Sequence, residues 1–184
     1  MITLKELWKD NSYVYQKLEH PNEIDNFSIR GIENEEGGFD FFKGLGIIGY
    51  PSTFKAWLRK FPRPIFLVAS KNKEVVSWVF VEEWEDAGRD GFPVYVLRAI
   101  ETLPELRGRK IGFRLFLLVL KETAGHIITK PLTPKAKKFF KGMGFLEENE
   151  MNRPPIDLSH RSNYLVLPVH ARKEILENST EYLA

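Results

Sequence analysis

Three basic residues and two glycines lie in one short loop between a predicted strand and a predicted helix: Arg107, Gly108, Arg109, Lys110 and Gly112. The glycines allow the backbone to turn tightly and to approach a ligand closely. The first N–H groups of a helix have no intrahelical partner, and the helix dipole favours an anion beside them. We therefore predict that this loop binds a phosphate group through its main chain. The alternative is a solvated connection that binds nothing.

The elements on both sides of this loop hold its ends. Residues 94–102 alternate and include β-branched side chains, which predicts a strand that ends before Pro104. Residues 111–123 are apolar around most of a helical circumference, which predicts a helix buried against a sheet and ended by Gly125. The next strand, 126–132, is predicted to run parallel to the first, because a strand–helix–strand crossover within one sheet makes the two strands parallel.

Upstream of these elements the pattern is weaker. From the N-terminus we predict a weakly amphipathic helix or irregular arm over 1–20, a strand over 24–32, a loop over 33–38, a short helix over 39–48 and a helix over 53–61. Ser52 is predicted to cap the last of these helices, and Pro62 and Pro64 to end it.

The remaining segments complete a sheet. Strands over 65–69 and 74–82 are joined by a turn and form a hairpin, and the strand at 94 extends it into an antiparallel meander. Downstream, Thr133 caps a helix that has Pro134 at its first position. The last predicted elements are strands over 145–151 and 163–169 and a final short helix after His170.

Residues 103–112 resemble the pyrophosphate-binding segment of the general-control-type N-acetyltransferase superfamily (GNAT), whose pattern is Arg/Gln-x-x-Gly-x-Gly/Ala. Arg107 and Gly112 match the first and last positions of this pattern. Lys110 replaces the first glycine, so the loop must close with a Cβ at that position, and we expect the lysine to point outward. Residues 133–145 resemble a second segment of the superfamily, a helix with an alanine and an aromatic pair that ends in Leu-Gly-Phe, here Met-Gly-Phe.

The resemblance implies a fold and a cosubstrate. The fold is a single α/β (α+β) domain over 1–184, with a mixed, mostly antiparallel sheet that contains one splayed parallel strand pair and is flanked by helices. The cosubstrate is acetyl-CoA, with no metal. The region 39–57 is implied to form the acceptor side and to hold the specificity for the acceptor; the alternative for each of its aromatic residues is plain core packing. The implied cofactor-binding residues are Arg98, Ala99 and Ile100 for the pantetheine, 107–112 (Arg107, Gly108, Arg109, Lys110, Ile111, Gly112) for the pyrophosphate, and a helix that includes Lys137, Lys138, Phe140 and Lys141, whose lysines are candidates for the 3′-phosphate.

Acyl transfer to an amine also needs proton transfer. Deprotonating a lysine-like amine of pKa 10.4 at pH 7 costs about 4.6 kcal/mol, so a carboxylate or a water relay is expected, with Glu101, Glu82 and Glu83 as candidates. The side chain of Glu101 faces either the cleft or the outer side of the sheet. In the family the thiolate is protonated by a tyrosine at the position of Phe140, and an asparagine is common where this chain has Thr133. Either another hydroxyl, such as Tyr50 or Tyr164, donates this proton, or the thiolate leaves unaided.

Composition excludes several classes of protein. The chain has 184 residues and no cysteine, which rules out disulfides, thiolate metal sites and a cysteine acyl-enzyme. The four histidines lack metal-ligand spacing. We find no signal-peptide core and no apolar run of membrane-spanning length, so we expect a soluble, cytoplasmic protein. A net charge of +2 is too small for extensive nucleic-acid binding, which makes a nucleic-acid partner unlikely.

Three functions follow from these observations. The first is an N-acetyltransferase that moves an acetyl group directly from acetyl-CoA to a small-molecule amine, a peptide N-terminus or a lysine. The second is a catalytically silent acyl-CoA-binding or regulatory domain, suggested by Phe140 and Lys110. The third is a small basic nucleic-acid module. The C-terminal segment is a candidate interface for a homodimer.

Overall fold

The computed structural model describes residues 4–31, 37–42 and 45–184. Within this part of the chain seven strands form one sheet, in the spatial order β1 to β7: β1 (Lys5–Lys9), β2 (Val14–Leu18), β3 (Ile65–Lys71), β4 (Glu74–Glu83), β5 (Val94–Thr102), β6 (His126–Thr129) and β7 (Leu165–Leu167). The α-helices of the same residues are α1 (Tyr50–Leu58), α2 (Ile111–Glu122), α3 (Pro134–Gly142) and α4 (Val169–Asn178).

The sheet is mostly antiparallel and contains one parallel pair, as predicted. The pairs β1–β2, β2–β3 and β6–β7 are antiparallel, whereas β5 and β6 are parallel. The parallel ladder joins residues 94–96 to residues 126–128, although β5 continues to Thr102. Beyond the ladder the Thr129 hydroxyl donates a hydrogen bond to the Leu97 carbonyl oxygen at 2.9 Å. The two parallel strands therefore pair only at the start of β5.

The chain packs as two compact units, one of residues 1–80 with 99–119 and the other of residues 81–98 with 120–184. In the first unit the fully buried Trp78 is surrounded by other aromatic rings: Phe39, Phe42, Tyr50, Phe54, Trp57 and Phe66. The second unit contains a cluster of buried aliphatic residues: Val94, Val96, Ile128, Ile156, Leu158 and Val166. The single domain over 1–184 stays a prediction.

The prediction for the N-terminal residues was wrong. Residues 5–18 form the β1–β2 hairpin, not a helix or an irregular arm. Asp10 makes the turn, because its carboxylate accepts the backbone N–H groups of Ser12 and Tyr13, both at 2.7 Å. This is the local hydrogen bonding that makes Asp a turn residue.

The predicted strand over 24–32 is also wrong for its described residues. Residues 21–26 form a 3₁₀ helix, and Ser28 makes only an isolated bridge to Glu74. The helix is held by the buried Glu23, whose carboxylate accepts the N–H groups of Glu19 and His20 at 2.8 and 2.7 Å. Ile32 and the predicted loop residues 33–36 lie outside the described residues.

The predicted helix over 39–48 is absent from its described residues, which form turns and irregular backbone apart from 3₁₀ geometry at Leu45; residues 43 and 44 lie outside the described part. Helix α1 begins earlier than predicted, with Gly49 instead of Ser52 at its N-cap, and ends at Leu58, before the predicted end at 61.

Downstream, most predicted elements are confirmed but shorter. Helix α2 spans 111–122, as expected for a helix buried along residues 115–120. Strand β6 ends at Thr129, not at residue 132, and the strand predicted over 145–151 is reduced to a bridge between Leu146 and Val166. Of the strand predicted over 163–169, only residues 165–167 form a strand, β7. The final helix, α4, is confirmed.

A buried arginine on α4 binds the end of α2. The Arg172 side chain is 6% exposed and donates hydrogen bonds to the carbonyl oxygens of Leu120, Thr123 and Gly125, the last at 2.9 Å. The last carbonyl groups of a helix have no intrahelical donor, so this guanidinium satisfies them. Burial lowers the pKa of Arg172.

None of the helices described for this chain is long and apolar enough to cross a bilayer.

Candidate functional site

The loop between β5 and α2 has an unusual backbone conformation. Gly108 has φ +81° and Lys110 has φ +64°, so both lie in the left-handed region. Glycine adopts this region without steric cost, whereas a lysine does so rarely. The loop therefore closes with a Cβ at Lys110, and the side chain is exposed, as the sequence led us to expect.

The backbone N–H groups of this loop are the main feature of the site. Among the described residues, the N–H groups of the five consecutive positions 108–112 donate no hydrogen bond. The first backbone hydrogen bond of α2 runs from the N–H of Arg114 to the carbonyl oxygen of Lys110. Adjacent backbone donors at the start of a helix are an arrangement that binds anions in proteins, and here five of them precede and begin the twelve-residue helix α2.

Glycine at position 112 lets the first turn of α2 pack closely on β5. A Cβ at this position would lie 3.3 Å from the Thr102 hydroxyl oxygen and 3.9 Å from the Cδ1 of Ile100. The first of these distances is tighter than ordinary contact. The absence of a side chain therefore lets the first turn of α2 lie against the end of the strand.

Positive charge surrounds the loop. The Arg107 guanidinium donates to the Thr102 carbonyl oxygen at 3.4 Å and lies 3.7 Å from a carboxylate oxygen of Asp40. The nearby Glu105 is paired with Arg30 at 2.6 Å, and its pKa is lowered mainly by a hydrogen bond from its own backbone and then by that partner. The side chains of Arg109 and Lys110 have no carboxylate partner among the described residues, so their charge is available to an anion.

Glu101 points inward, which the sequence left undecided. Its side chain is 5% exposed, and one carboxylate oxygen accepts the N–H groups of Asp40 and Phe41 at 3.1 and 3.0 Å. The other oxygen accepts the Tyr50 hydroxyl at 2.8 Å, and that hydroxyl accepts the Phe42 N–H at 3.2 Å. Burial raises the pKa of Glu101, although these hydrogen bonds oppose the shift. Burial and the neighbouring carboxylate raise the pKa of Tyr50.

The other two predicted carboxylates lie at the end of β4. Glu82 pairs with the exposed Arg98 of β5 at 3.0 Å. Glu83 is exposed, and no partner of it is found among the described residues. The remaining residues predicted to pair with pantetheine differ in burial: Ala99 is buried and Ile100 is half-buried.

Helix α3 begins as predicted, because the Thr133 hydroxyl accepts the Ala136 N–H at 3.0 Å. Two of its lysines are engaged by acids: Lys137 and Lys141 both pair with Glu147. These lysines lower the pKa of Glu147 to about 2. Lys138, in contrast, is exposed and has no carboxylate partner within the described chain.

The aromatic side chains of this segment do not offer a hydroxyl. Phe140 is buried and packs on Phe139 and Phe145, with ring centroids 5.4 and 5.5 Å apart. Of the two tyrosines considered as proton donors, Tyr50 is bound to Glu101 and Tyr164 packs edge-on against Trp84.

Sequence reasoning missed the contacts that residues 40–42 make with Glu101 and Tyr50. The hydrogen bond from the Asp40 N–H to Glu101 joins residues 61 positions apart. No local pattern predicts such a pairing. In the described residues, no group of three or more His, Cys, Asp or Glu side chains could hold a metal ion.

Comparison with known protein families shows which family the chain belongs to. The model of the acetyltransferase (GNAT) family matches residues 29–145, which is more than half of the chain. The chain therefore belongs to the GNAT acetyltransferase family, as the loop and α3 segments indicated. Membership of this family supports the prediction that the protein is an acyltransferase, and it confirms acetyl-CoA as the cosubstrate.

Solved structures with the same fold are more distant in sequence. A variant of the AtaT toxin bound to the C-terminus of the antitoxin AtaR has a TM-score of 0.58 and 13% identity, over 90% of this chain and 98% of the other. The KacTA–DNA complex has a TM-score of 0.60 and 14% identity, over 90% and 99%. AtaT complexed with acetyl-methionyl-tRNAfMet has a TM-score of 0.52 and 13% identity, over 89% and 99%. A search of curated proteins finds no match.

Proposed function

We propose that this protein is an N-acetyltransferase that moves the acetyl group of acetyl-CoA directly to a primary amine in a ternary complex. The observation that carries this proposal is the row of N–H groups at 108–112, which donate no hydrogen bond to any residue in the described part of the chain. They fit a diphosphate, which accepts several backbone donors at a helix N-terminus. The exposed side chains of Arg109 and Lys110 add the positive charge that such a group requires.

The end of β5 is suited to the pantetheine arm. The ladder to β6 stops at Val96, and we assign the backbone groups of Arg98, Ala99 and Ile100 to the pantetheine amides as an added half-strand. A backbone N–H near Ile100 would polarise the thioester carbonyl, the electrostatic contribution that is usually largest in acyl transfer. The amine nitrogen forms a bond to the acetyl carbon while the carbon–sulfur bond breaks, and the electron pair leaves on sulfur.

The proton of the amine goes to a carboxylate or to water. Of the three predicted carboxylates, Glu83 is the one whose oxygens have no partner among the described residues, whereas Glu82 is bound to Arg98 and Glu101 accepts three hydrogen bonds. We therefore place Glu83 first as the proton acceptor. With Phe140 in the core, the thiolate leaves unaided, since a thiol pKa of about 8.5 makes it a fair leaving group, or is protonated by Tyr164.

The acceptor is proposed only as a class, a primary amine. AtaT, which has the same fold, is complexed with acetyl-methionyl-tRNAfMet. The amino group of an aminoacyl-tRNA therefore joins polyamines, aminoglycosides, peptide N-termini and lysine among the amines to test, and nucleic acid is kept as a partner class.

Two measurements test the proposal. Isothermal titration with acetyl-CoA and with CoA is expected to show micromolar binding, and absence of binding would overturn the proposal. A thiol-release assay against the amine panel then tests catalysis, and because the chain has no cysteine the assay has no protein background. Binding without thiol release from any amine would favour the silent acyl-CoA-binding domain. Binding to nucleic acid alone, with an affinity that falls steeply with salt, would favour the basic module.

Lys138 provides a prediction for the 3′-phosphate. Because Lys138 has no carboxylate partner in the described chain, we expect Lys138→Ala to weaken CoA binding by roughly 5- to 10-fold, a typical loss for one charge-assisted contact. The affinity for 3′-dephospho-CoA should not change. Lys137→Ala is the matched control, since Lys137 is already paired with Glu147 and its loss should matter less. An equal loss for both ligands in Lys138→Ala would contradict this assignment.

A further inference from the structure

Residues 39–42 are held in place by two side chains from elsewhere in the same unit. Glu101 accepts the N–H groups of Asp40 and Phe41, and the Tyr50 hydroxyl accepts that of Phe42. The hydroxyl in turn donates to Glu101 at 2.8 Å. Three successive N–H groups of an irregular segment are thus bound by one buried carboxylate–phenol pair.

The same segment lies beside the phosphate-binding loop. The Asp40 carboxylate is 3.7 Å from the Arg107 guanidinium. The Phe41 ring, which stacks edge-on with Phe42, is 38% exposed. An exposed aromatic ring next to the loop is a surface on which the non-reacting part of a substrate can pack.

The hydrogen bonds of Glu101 leave it poorly suited to take a proton from the amine. One oxygen already accepts two N–H groups, which occupies both of its lone pairs. The other oxygen accepts the Tyr50 hydroxyl and keeps one lone pair, but the residue as a whole is only 5% exposed, so a substrate proton has little access to it. A general base needs a lone pair within hydrogen-bond reach of the substrate proton.

We infer that Glu101 is a positioning residue: with Tyr50 it fixes residues 39–42 and thereby the place where the amine acceptor packs, while the proton is taken elsewhere. The role of Glu101 in the reaction rests on the proposed acetyl transfer. The fixing of residues 39–42 is independent of that reaction and can be measured without an acceptor.

The first test is amide hydrogen exchange on the full chain. Glu101→Gln should speed exchange at the amides of residues 40 and 41 by about 10-fold, because a neutral amide oxygen accepts these N–H groups more weakly than a carboxylate does and cannot also accept the Tyr50 hydroxyl. Tyr50→Phe should do the same mainly at Phe42. The matched control is Glu23→Gln, another buried carboxylate that accepts two backbone N–H groups, those of Glu19 and His20. Glu23→Gln should speed exchange at the amides of Glu19 and His20 and leave the exchange rates of residues 40–42 unchanged.

The second test separates positioning from proton transfer. With an amine from the panel that supports thiol release, Glu101→Gln should raise the KM for that amine by at least about 10-fold and lower kcat by less. The affinity for CoA should stay within about twofold, and the acidic limb of the pH–rate profile should remain. Asp40 and Tyr50 are the other titratable groups facing Glu101, so the profile of Tyr50→Phe is recorded beside it.

Two results would overturn the inference. One is unchanged exchange at residues 40 and 41 in Glu101→Gln. The other is a fall in kcat of about 100-fold or more with an unchanged KM and a lost acidic limb, which is the behaviour of a general base. If Glu101→Gln does not fold, Tyr50→Phe, which removes one hydroxyl, decides the question through the Phe42 amide. Failure of wild-type protein to bind CoA would overturn the proposed function and leave the exchange test intact.

Discussion

Lys110→Asp is expected to weaken CoA binding by about 100-fold or more while the melting temperature stays within about 2 °C of wild type. Lys110 lies in the middle of the five N–H groups proposed to hold the diphosphate, and its side chain is exposed. The substitution changes the charge at the loop by two units. At an effective dielectric constant of about 20, each unit of charge changes the interaction energy with a ligand charge about 7 Å away by roughly 2 kcal/mol. After partial screening by salt, the two units together therefore change the binding free energy by roughly 3 kcal/mol.

The fold should tolerate this change. Position 110 has φ +64°, a conformation that aspartate and asparagine adopt more readily than lysine. The side chain makes no ion pair within the described residues that the substitution would break. The binding loss should therefore appear without unfolding, and thermal unfolding beside the titration checks this.

Lys110→Asn is the control for shape. It has the same tolerance of the left-handed conformation and removes one charge without adding the opposite one, so we expect a loss of roughly 10-fold. A CoA affinity that falls from wild type to Lys110→Asn and again to Lys110→Asp would indicate a loop that binds an anion. Equal CoA affinity in all three proteins would contradict the assignment of the diphosphate to residues 108–112.

Arg172→Met should lower the free energy of unfolding by about 3–5 kcal/mol and the melting temperature by roughly 10 °C. The guanidinium binds the carbonyl oxygens of Leu120, Thr123 and Gly125 and is itself almost fully buried. Methionine fills much of the same volume but donates nothing. Three carbonyl groups would then be left without that donor, and an unpaired buried polar group costs about 1–3 kcal/mol.

Arg172→Lys distinguishes geometry from charge. Lysine keeps the positive charge, but its single ammonium group lacks the planar fork that reaches several acceptors at once. We expect it to recover less than half of the lost stability, as measured by urea unfolding. Full recovery would show that charge near the C-terminus of α2 matters more than the three directed bonds. A loss below about 1 kcal/mol in Arg172→Met would mean that water replaces the guanidinium.

The parts of the site that sequence predicted are local. The glycine-containing loop before α2 and the cap of α3 at Thr133 depend on residues within a few positions of one another, and the structure confirms the position of both; phosphate binding by the loop stays a prediction. The N-terminal hairpin was missed although Asp10, Asn11 and Ser12 form a recognisable turn signal, because the flanking strands are only five residues long and alternate weakly.

Other errors have a different physical cause. Three of the four residues 39–42 are phenylalanines, and a short, largely apolar stretch suits a helix as well as an irregular segment packed in a core. Their conformation is decided by hydrogen bonds to Glu101 and Tyr50 and by contact of Phe39 and Phe42 with Trp78. These partners are distant in sequence, so no window along the chain contains the signal.

The sequence by itself determined the family, through the resemblance of two segments, and the sheet with one parallel pair, through hydrophobic periodicity and the strand–helix–strand order. It also located the glycine-containing basic loop that we propose binds an anion, because glycine spacing and charge are local features of the chain. Only the tertiary structure decided three features of the described residues: the N–H groups at 108–112 have no acceptor among them, Glu101 faces inward, and Lys138, unlike Lys137 and Lys141, has no acidic partner among them. These features depend on which donors and acceptors meet after the chain has folded, and local sequence does not encode that.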